Sequence, residues 1–357
     1  MITTFDVVQN KVDVSPVLSL VGPKQAPFLD LVGIGKSVTS TTYEWFDDRL
    51  PKRASTLAAA YTAGTDTTLT VASGDGKYFA VGAVVKVGSV AYKVTAVNGD
   101  VLTVSALNTD ANHAVGDTIL FISIPRTEGQ DFANGTYFPA TMRKNITQIF
   151  SDYVQISGTQ SSVAQYVNTN VFTSEVQKKL LGLKIQLEMA VLNSIYHEPT
   201  SNADARMMKG ILQFLQEDGV SGSGTLTEDN FKAFLKEIWQ NGGDPSVAIM
   251  DSASAETFNT FQADKLIVQR NDQTAGRVIT GYLSQYGHIR LIVDRWMPPN
   301  TIIVLSDVNR VKVHPLNGRA FFYEQLAKTG DGVKGQIVGE YTLEVRNPET
   351  HGVFSVA

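Results

Sequence analysis

Between residues 58 and 125 the chain changes character. The block is built of Thr, Val, Ala and Gly in short alternating runs, the period-two pattern of half-buried strands. Apolar residues recurring at every second position do not settle into a helix, so the chain must accommodate a small all-β unit in its middle. The block also carries a weak repeat: Leu69-Thr70-Val71 precedes Ala80-Val81-Gly82-Ala83-Val84-Val85, and Leu102-Thr103-Val104 precedes Ala114-Val115-Gly116-Asp117-Thr118-Ile119. Each half reads as strand, turn, strand. Asn98-Gly99-Asp100, between Val97 and Val101, is a hairpin signal because Asn-Gly tolerates the positive φ of a type I′ turn. An inserted β-barrel or sandwich is expected.

The flanks read differently. Residues 1–36 look like an arm, interrupted by Pro16, Pro23 and Pro27, with apolar patches at Val17, Leu18, Leu20 and at Phe28, Leu29, Leu31 but no sustained helix period. Such a segment buries its apolar groups only against something else, either its own core or a neighbouring molecule. It lacks a long charged helical prefix, so the mature chain is expected to keep its N-terminus. Residues 41–46 have strand character and run into Asp47-Asp48-Arg49-Leu50-Pro51-Lys52-Arg53. After Arg126, residues 128–139 are loop-like and 146–156 strand-rich.

The strongest helix signal spans 174–196. Ser174 and Gln177 match a capping box, and Val176, Leu180, Leu183, Leu187, Ala190 and Val191 recur at three- and four-residue steps. They are expected to be the core stripe of this helix. A second helix, 227–241, has Thr227 as cap, acidic Glu228 and Asp229 in its first turn, and Phe231, Phe234, Leu235, Ile238 and Trp239 on one face. Asn241-Gly242-Gly243 ends it. A third helix is expected at about 253–264. Strands are expected at 289–293, 301–305, 320–324 and 340–346, the last with Tyr341, Leu343 and Val345 alternating with polar neighbours.

At 357 residues the chain exceeds the size of one usual hydrophobic core. A formal charge of -5 gives no basic footprint of a dedicated DNA binder. There is no cysteine, which excludes disulfides, thiolate metal sites and a thiol nucleophile. No run approaches the ~20 apolar residues of a membrane helix, and no membrane role is expected. Gly33-Ile34-Gly35-Lys36-Ser37 resembles the end of a phosphate loop, but the glycine required earlier falls on Asp30. His113, His197, His288, His314 and His351 are far apart and lack metal-ligand spacing. No Gly-x-Ser-x-Gly elbow is present. Catalytic residues, metal ligands and cofactors are therefore all expected to be none. Asn134-Gly135-Thr136 and Asn145-Ile146-Thr147 match glycosylation sequons, which have meaning only in a secreted protein. What remains is a polar cluster, Glu44, Asp47, Asp48, Arg49, Lys52 and Arg53. It reads either as a contact with a neighbouring subunit or as a solvated loop tip.

Several stretches resemble the major head proteins of tailed bacteriophages. They are Tyr43-Glu44-Trp45-Phe46-Asp47-Asp48, Asn145-Ile146-Thr147-Gln148-Ile149-Phe150, Val154-Gln155-Ile156-Ser157-Gly158-Thr159 and Arg206-Met207-Met208-Lys209-Gly210-Ile211. The longest runs from Lys328-Thr329-Gly330-Asp331 to Gly339-Glu340-Tyr341-Thr342-Leu343-Glu344-Val345-Arg346-Asn347. The likeness spans most of the chain outside residues 58–125. It implies an α+β, Hong Kong 97-like fold with 1–36 as the N-terminal arm and 37–57 with 126–150 as the legs of an extended loop. It further implies 58–125 as an inserted β-domain, 151–205 with 305–357 as a peripheral domain with a spine helix, and 206–304 as an axial domain.

By the same resemblance the protein is a virion shell subunit, assembled in the host bacterial cytoplasm and partnered with itself as pentamers and hexamers. A separate scaffolding protein and portal are implied, with a possible decoration protein and non-specific contact with packaged double-stranded DNA. A nanocompartment shell protein of the same fold, or a phage adhesin or tail protein binding carbohydrate through the inserted domain, are the alternatives.

Overall fold

The computed structural model describes residues 26–48, 52–126, 128–129, 140–162, 171–201, 203–258, 261, 266–269, 278–327 and 330–357. Arg49 and nearly all of the expected arm lie outside these residues, as does most of the loop at 128–139. The chain divides into two compact units, one formed by Met1–Trp45 with Met142–Ala357 and the other by Phe46–Thr141.

The first described element is α1 (Pro27–Val32), with Pro27 at its first turn, where a missing N–H costs nothing. This corrects the reading of 27–32 as irregular: Phe28 and Val32 are buried in the main core, so this part of the expected arm packs on its own chain. Next, β1 (Thr42–Asp47) pairs with β8 (Thr141–Ile146) in a two-stranded sheet whose strands lead into and out of the second unit.

That second unit holds β2 (Ala54–Thr56), β3 (Thr68–Thr70), β4 (Val84–Val87), β5 (Val90–Asn98), β6 (Val101–Ala106) and β7 (Thr118–Ser123). The sheet order is β2-β7-β4-β5-β6-β3. An antiparallel bridge between Leu57 and Val71, with Ala72 N donating to Thr56 O at 2.9 Å, joins the two outer strands. The sheet therefore closes into a six-stranded barrel and leaves no open edge there. Leu57, Leu69, Val85, Tyr92, Val94, Leu102 and Ile119 fill it.

The repeat seen in the sequence has a physical counterpart in this barrel. Leu69 pairs with Leu102 at the centre, and the bridge Leu57–Val71 in one half corresponds to the pair Val94–Val104 in the other. The two Ala-Val-Gly segments make the same turn. Gly82 and Gly116 adopt φ of 87° and 92°, which a side chain would resist, and Ala83 N and Asp117 N donate back to Ala80 O and Ala114 O. Each half thus has three strands, β2-β3-β4 and β5-β6-β7, where the sequence suggested two. Because β2 pairs with β7, the compact unit begins before the expected residue 58 and runs from Phe46 to Thr141. The hairpin also differs from expectation. Asn98 pairs with Val101, so Gly99 (φ 58°) and Asp100 form the turn, and Asp100 accepts the backbone N–H groups of Gly74 and Gly76.

In the first unit the chain continues through β9 (Gln148–Ser157), α2 (Gly158–Ser162), α3 (Val171–Asn193), α4 (Ile211–Asp218) and β10 (Val220–Gly224). Then come α5 (Glu228–Gln240), β11 (Val247–Met250), α6 (Ser252–Phe258), β12 (Leu266–Gln269), β13 (Val278–Ser284) and β14 (Gly287–Val293). The chain ends with β15 (Thr301–Leu305), β16 (Val311–Pro315), β17 (Phe322–Leu326), β18 (Gly332–Val345) and β19 (Gly352–Val356).

Seven strands form one sheet in the order β10-β19-β15-β11-β14-β13-β12. Its β11 and β15 are buried on both faces: Val247, Ile249, Ile303 and Leu305 face one hydrophobic cluster, and Ala248, Met250, Ile302 and Val304 face another. The C-terminal β19 joins this sheet, although 305–357 was expected to belong to the peripheral domain. Its alternating Val353 and Phe354 give it an apolar side chain for each face.

A second sheet sets β18 between β16 and β17 on one side and β9 on the other. The expected strand at 340–346 is thus the end of a fourteen-residue strand.

Two helix expectations need correction. The long helix begins at Val171, so Ser174 lies inside its first turns and is not its cap. In α5, Thr227 Oγ1 does accept from Asn230 N at 3.3 Å, and Phe231, Phe234, Leu235 and Ile238 are buried. Trp239, however, is 53% exposed and only leans on Tyr286. It closes the stripe at the helix end, beyond the sheet strands that cover the other four.

Candidate functional site

The polar residues of β18 are buried as deeply as its apolar ones. Glu340, Thr342 and Glu344 are at most 2% exposed, where strict alternation had suggested a solvated face. Strands β9 and β16 pair along this stretch of β18, and the two buried carboxylates must be met inside the protein. Glu340 accepts from Thr147 Oγ1 at 2.6 Å and from Arg206 at 2.8 Å, and Arg319 Nε lies 2.9 Å from its other oxygen.

Glu344 accepts from His314 Nε2 at 2.6 Å, from Arg346 Nε at 2.5 Å and from Tyr43 OH at 3.4 Å. Burial alone would raise the Glu344 carboxyl, but the hydrogen bonds and charges of His314 and Arg346 hold it below the usual carboxylate range. His314 Nδ1 faces the carbonyl oxygen of Lys36 at 2.6 Å. Both ring nitrogens face acceptors, so the ring bridges the Lys36 carbonyl and Glu344.

Asn145 completes the network. Its Nδ2 donates to Leu343 O and Lys209 O, and its Oδ1 accepts from Lys209 N and Ile146 N, all between 2.8 and 3.0 Å. Trp45 Nε1 donates to Val345 O at 3.2 Å. Strands β1 and β8, which carry the chain to and from the barrel, are thereby tied to β18 at their base. None of these groups was singled out for a role in the sequence. The available signal was that Tyr43, Trp45, Asn145, Thr147, Arg206, Lys209, Glu340 and Glu344 all stand in the stretches that carry the family resemblance.

The candidate contact residues do not form one cluster. Glu44 and Asp48 are exposed and Asp47 is buried. Lys52 turns back on its own barrel, with Nζ 3.3 Å from Asp75, which also accepts from Ser55 Oγ at 2.7 Å. Arg53 lies over the Phe121 ring at 5.4 Å. The candidate core stripe of the long helix also divides. Leu183, Leu187 and Val191 are buried, Val176 is half-buried, and Leu180 is 42% exposed. Leu180 shares the face of the other four, but full burial is confined to the C-terminal half of α3, where α1 and α4 pack.

Among the described residues, one broad surface is left uncovered. The sheet of β9, β18 and β17 turns Phe150, Val154 and Ile337 inward, with the Tyr323 ring 6.0 Å from Phe172 of α3. Its other face displays Ile149, Tyr153 and Leu326, with Tyr153 70% exposed. Among the described residues no group of three or more His, Asp or Glu could hold a metal ion, and no helix is long and apolar enough to cross a membrane.

A long helix under one sheet, a second sheet carrying its own helices, and a pair of strands, which here lead to an inserted barrel, make up a Hong Kong 97-like fold. The fold is shared with the capsid of an empty GTA particle computed with C5 symmetry (TM-score 0.55, 10% identity, 99% of this chain and 98% of that one). It is shared equally with a structure from Microbacterium phage Oxtober96 (TM-score 0.53, 10% identity, 99% of each chain). The family model described as SU10 major capsid protein matches residues 1–357, and the chain belongs to that family. The chain is also similar to the major capsid protein of Escherichia phage Phieco32, 23% identical over 287 residues, covering 64% of this chain and 80% of that protein. It is a structural protein of the phage virion that assembles with copies of itself into the capsid shell.

Proposed function

We propose that this subunit builds a closed icosahedral or prolate head from pentamers and hexamers, and that β1, β8 and the barrel between them form its extended loop. The observation that carries the reading is the open face of the β9–β18–β17 sheet. Ile149, Tyr153 and Leu326 place apolar groups on a surface that nothing in the described residues covers, and exposed apolar surface of this kind favours association. A neighbouring copy covers it in the shell, and Glu44 and Asp48 are among the polar contacts between subunits. The shell encloses double-stranded DNA, which its inner surface touches without sequence preference.

The chain acts without a catalytic step or cofactor of its own. Assembly proceeds in the host bacterial cytoplasm with a separate scaffolding protein and portal. The barrel serves either as outer decoration or as a clamp between neighbouring subunits. The test is Tyr153→Glu, made in the full chain and co-expressed with the scaffolding protein. The variant is expected to stay soluble and folded but to remain as small species by sedimentation velocity. Normal particles from Tyr153→Glu would remove this face from the assembly surface.

A further inference from the structure

In the barrel, the pairing of β4 with β7 is symmetric about Lys86 and Leu120. Val85 faces Phe121 on one side of this pair, and Val87 faces Ile119 on the other. Lys86 also pairs with Ala91 of β5, and Leu120 with Ala54 of β2. The row Ala54, Leu120, Lys86, Ala91 therefore crosses four strands of the outer wall, and its two halves differ only at the centre. One half of the barrel places Lys at this position and the other places Leu, so the fold accepts a charge there. Leu120 is nevertheless 46% exposed, and Ile122, two residues along β7, is 50% exposed. Exposed apolar groups at a position where the fold accepts a charge mark a contact surface.

The wall carries cations and no carboxylate. In the six barrel strands the charged residues are Lys86 and Lys93, both exposed. Arg53, just before β2, lies over the Phe121 ring of β7. A second barrel is a poor cover for this wall, since it would set cation against cation. The open face of the β9–β18–β17 sheet has the complementary order. Tyr153 pairs with Gln336, and Gln336 pairs with Glu324, so one row runs from an exposed ring to an exposed carboxylate. Lys334 stands in the next row, half-buried and paired with Leu326. With Leu120 over Tyr153, Lys86 lies one strand away and Glu324 two, roughly 5 and 10 Å along the row. A Lys stem spans that offset.

We propose that the barrel wall centred on Leu120 and Ile122 docks on the β9–β18–β17 face of a neighbouring copy, and that the inserted barrel is thereby a clamp between subunits. Leu120 and Ile122 bury the apolar groups around Tyr153, and Lys86 pairs with Glu324. The clamp rests on the proposed covering of that face by a second copy.

The chain has no cysteine, so Leu120→Cys combined with Tyr153→Cys lets oxidation join only these two positions. Assembled shells of the double variant should give cross-linked multimers larger than dimers on a non-reducing gel, and neither single variant should. Leu120→Lys puts on β7 the residue that β4 carries, so the subunit should fold while its shells rupture at a lower temperature than wild type. Lys86→Glu should weaken the shells in the same way, and adding Glu324→Lys should restore them. Double-cysteine shells without multimers overturn the clamp. So do Leu120→Lys shells as stable as wild type, or a Lys86→Glu loss that Glu324→Lys leaves unrepaired. If Tyr153→Glu still blocks assembly in those cases, the face is covered by another part of a neighbour or by a decoration protein. If Tyr153→Glu assembles normally, the covering of the face fails as well.

Discussion

Asn145 and Leu343, 198 residues apart in the chain, are joined by a hydrogen bond of 2.8 Å from the Asn145 amide to the Leu343 carbonyl. The same side chain binds both the N–H and the C=O of Lys209. One fully buried amide therefore fastens the end of β8 to β18 and to the segment before α4. Asn145→Ala would leave buried backbone groups of Leu343 and Lys209 without partners, at about 1–3 kcal/mol each. The expected loss in urea unfolding is roughly 3 kcal/mol or more. Asn145→Asp should be at least as damaging, because a carboxylate cannot donate to the two carbonyl oxygens.

Along α3 the effect of one substitution should depend on position. Leu187→Asp buries an unpaired carboxylate beside Phe28 and Leu183 in the main core, at a cost of several kcal/mol against a typical total of roughly 5–15. It should abolish soluble protein. Leu180→Asp, at an exposed site of the same face, should stay within about 1 kcal/mol of wild type in solution. Yields and thermal transitions of the two variants check the difference.

The barrel, residues 46–141, has its own core and closes its own sheet, so the excised segment should unfold cooperatively on heating. Replacing it with a short Gly/Ser linker should leave a soluble subunit whose helical circular dichroism is kept. If the excised segment is unfolded while the deleted chain aggregates, the barrel is not an autonomous insert.

Two buried groups give stability opposite dependences on pH. His351 accepts from Ser306 N at 3.0 Å and burial pushes its imidazole down to about 4. Its contribution is complete above the ordinary histidine value near 6.5 and is lost as pH falls toward 4. Glu188 is raised to about 8, so its contribution is complete below the ordinary value near 4.5 and is lost as pH rises toward 8. The two oppose each other between about 4.5 and 6.5, and only the Glu188 decline remains above that. Urea midpoints should fall from about pH 6.5 to 8 in wild type, and Glu188→Gln should flatten that fall.

What the sequence revealed and what it hid follow from range of interaction. The barrel repeat and α5 were legible because the strand period around Leu69 and Leu102, and the cap and stripe at Thr227 and Phe231, are local patterns of the chain. The exposure of Leu180 and Trp239 was not, since a face reads as apolar whether or not another element reaches it. Glu340 and Glu344 stand at the polar positions of an alternating strand. Glu340 pairs with β9 and Glu344 with β16, and their partners Arg206, His314 and Arg319 come from other parts of the chain. The family resemblance marked these residues without giving them a role, because a pattern shared across relatives records the network and not its geometry.

Assembly itself is the claim on which the rest depends. Electron microscopy of the full chain, expressed with its scaffolding protein, measures it most directly. Closed shells built of pentameric and hexameric capsomers, in which a neighbouring copy covers Ile149, Tyr153 and Leu326, are the expected result. A protein that stays monomeric under every assembly condition would contradict the account.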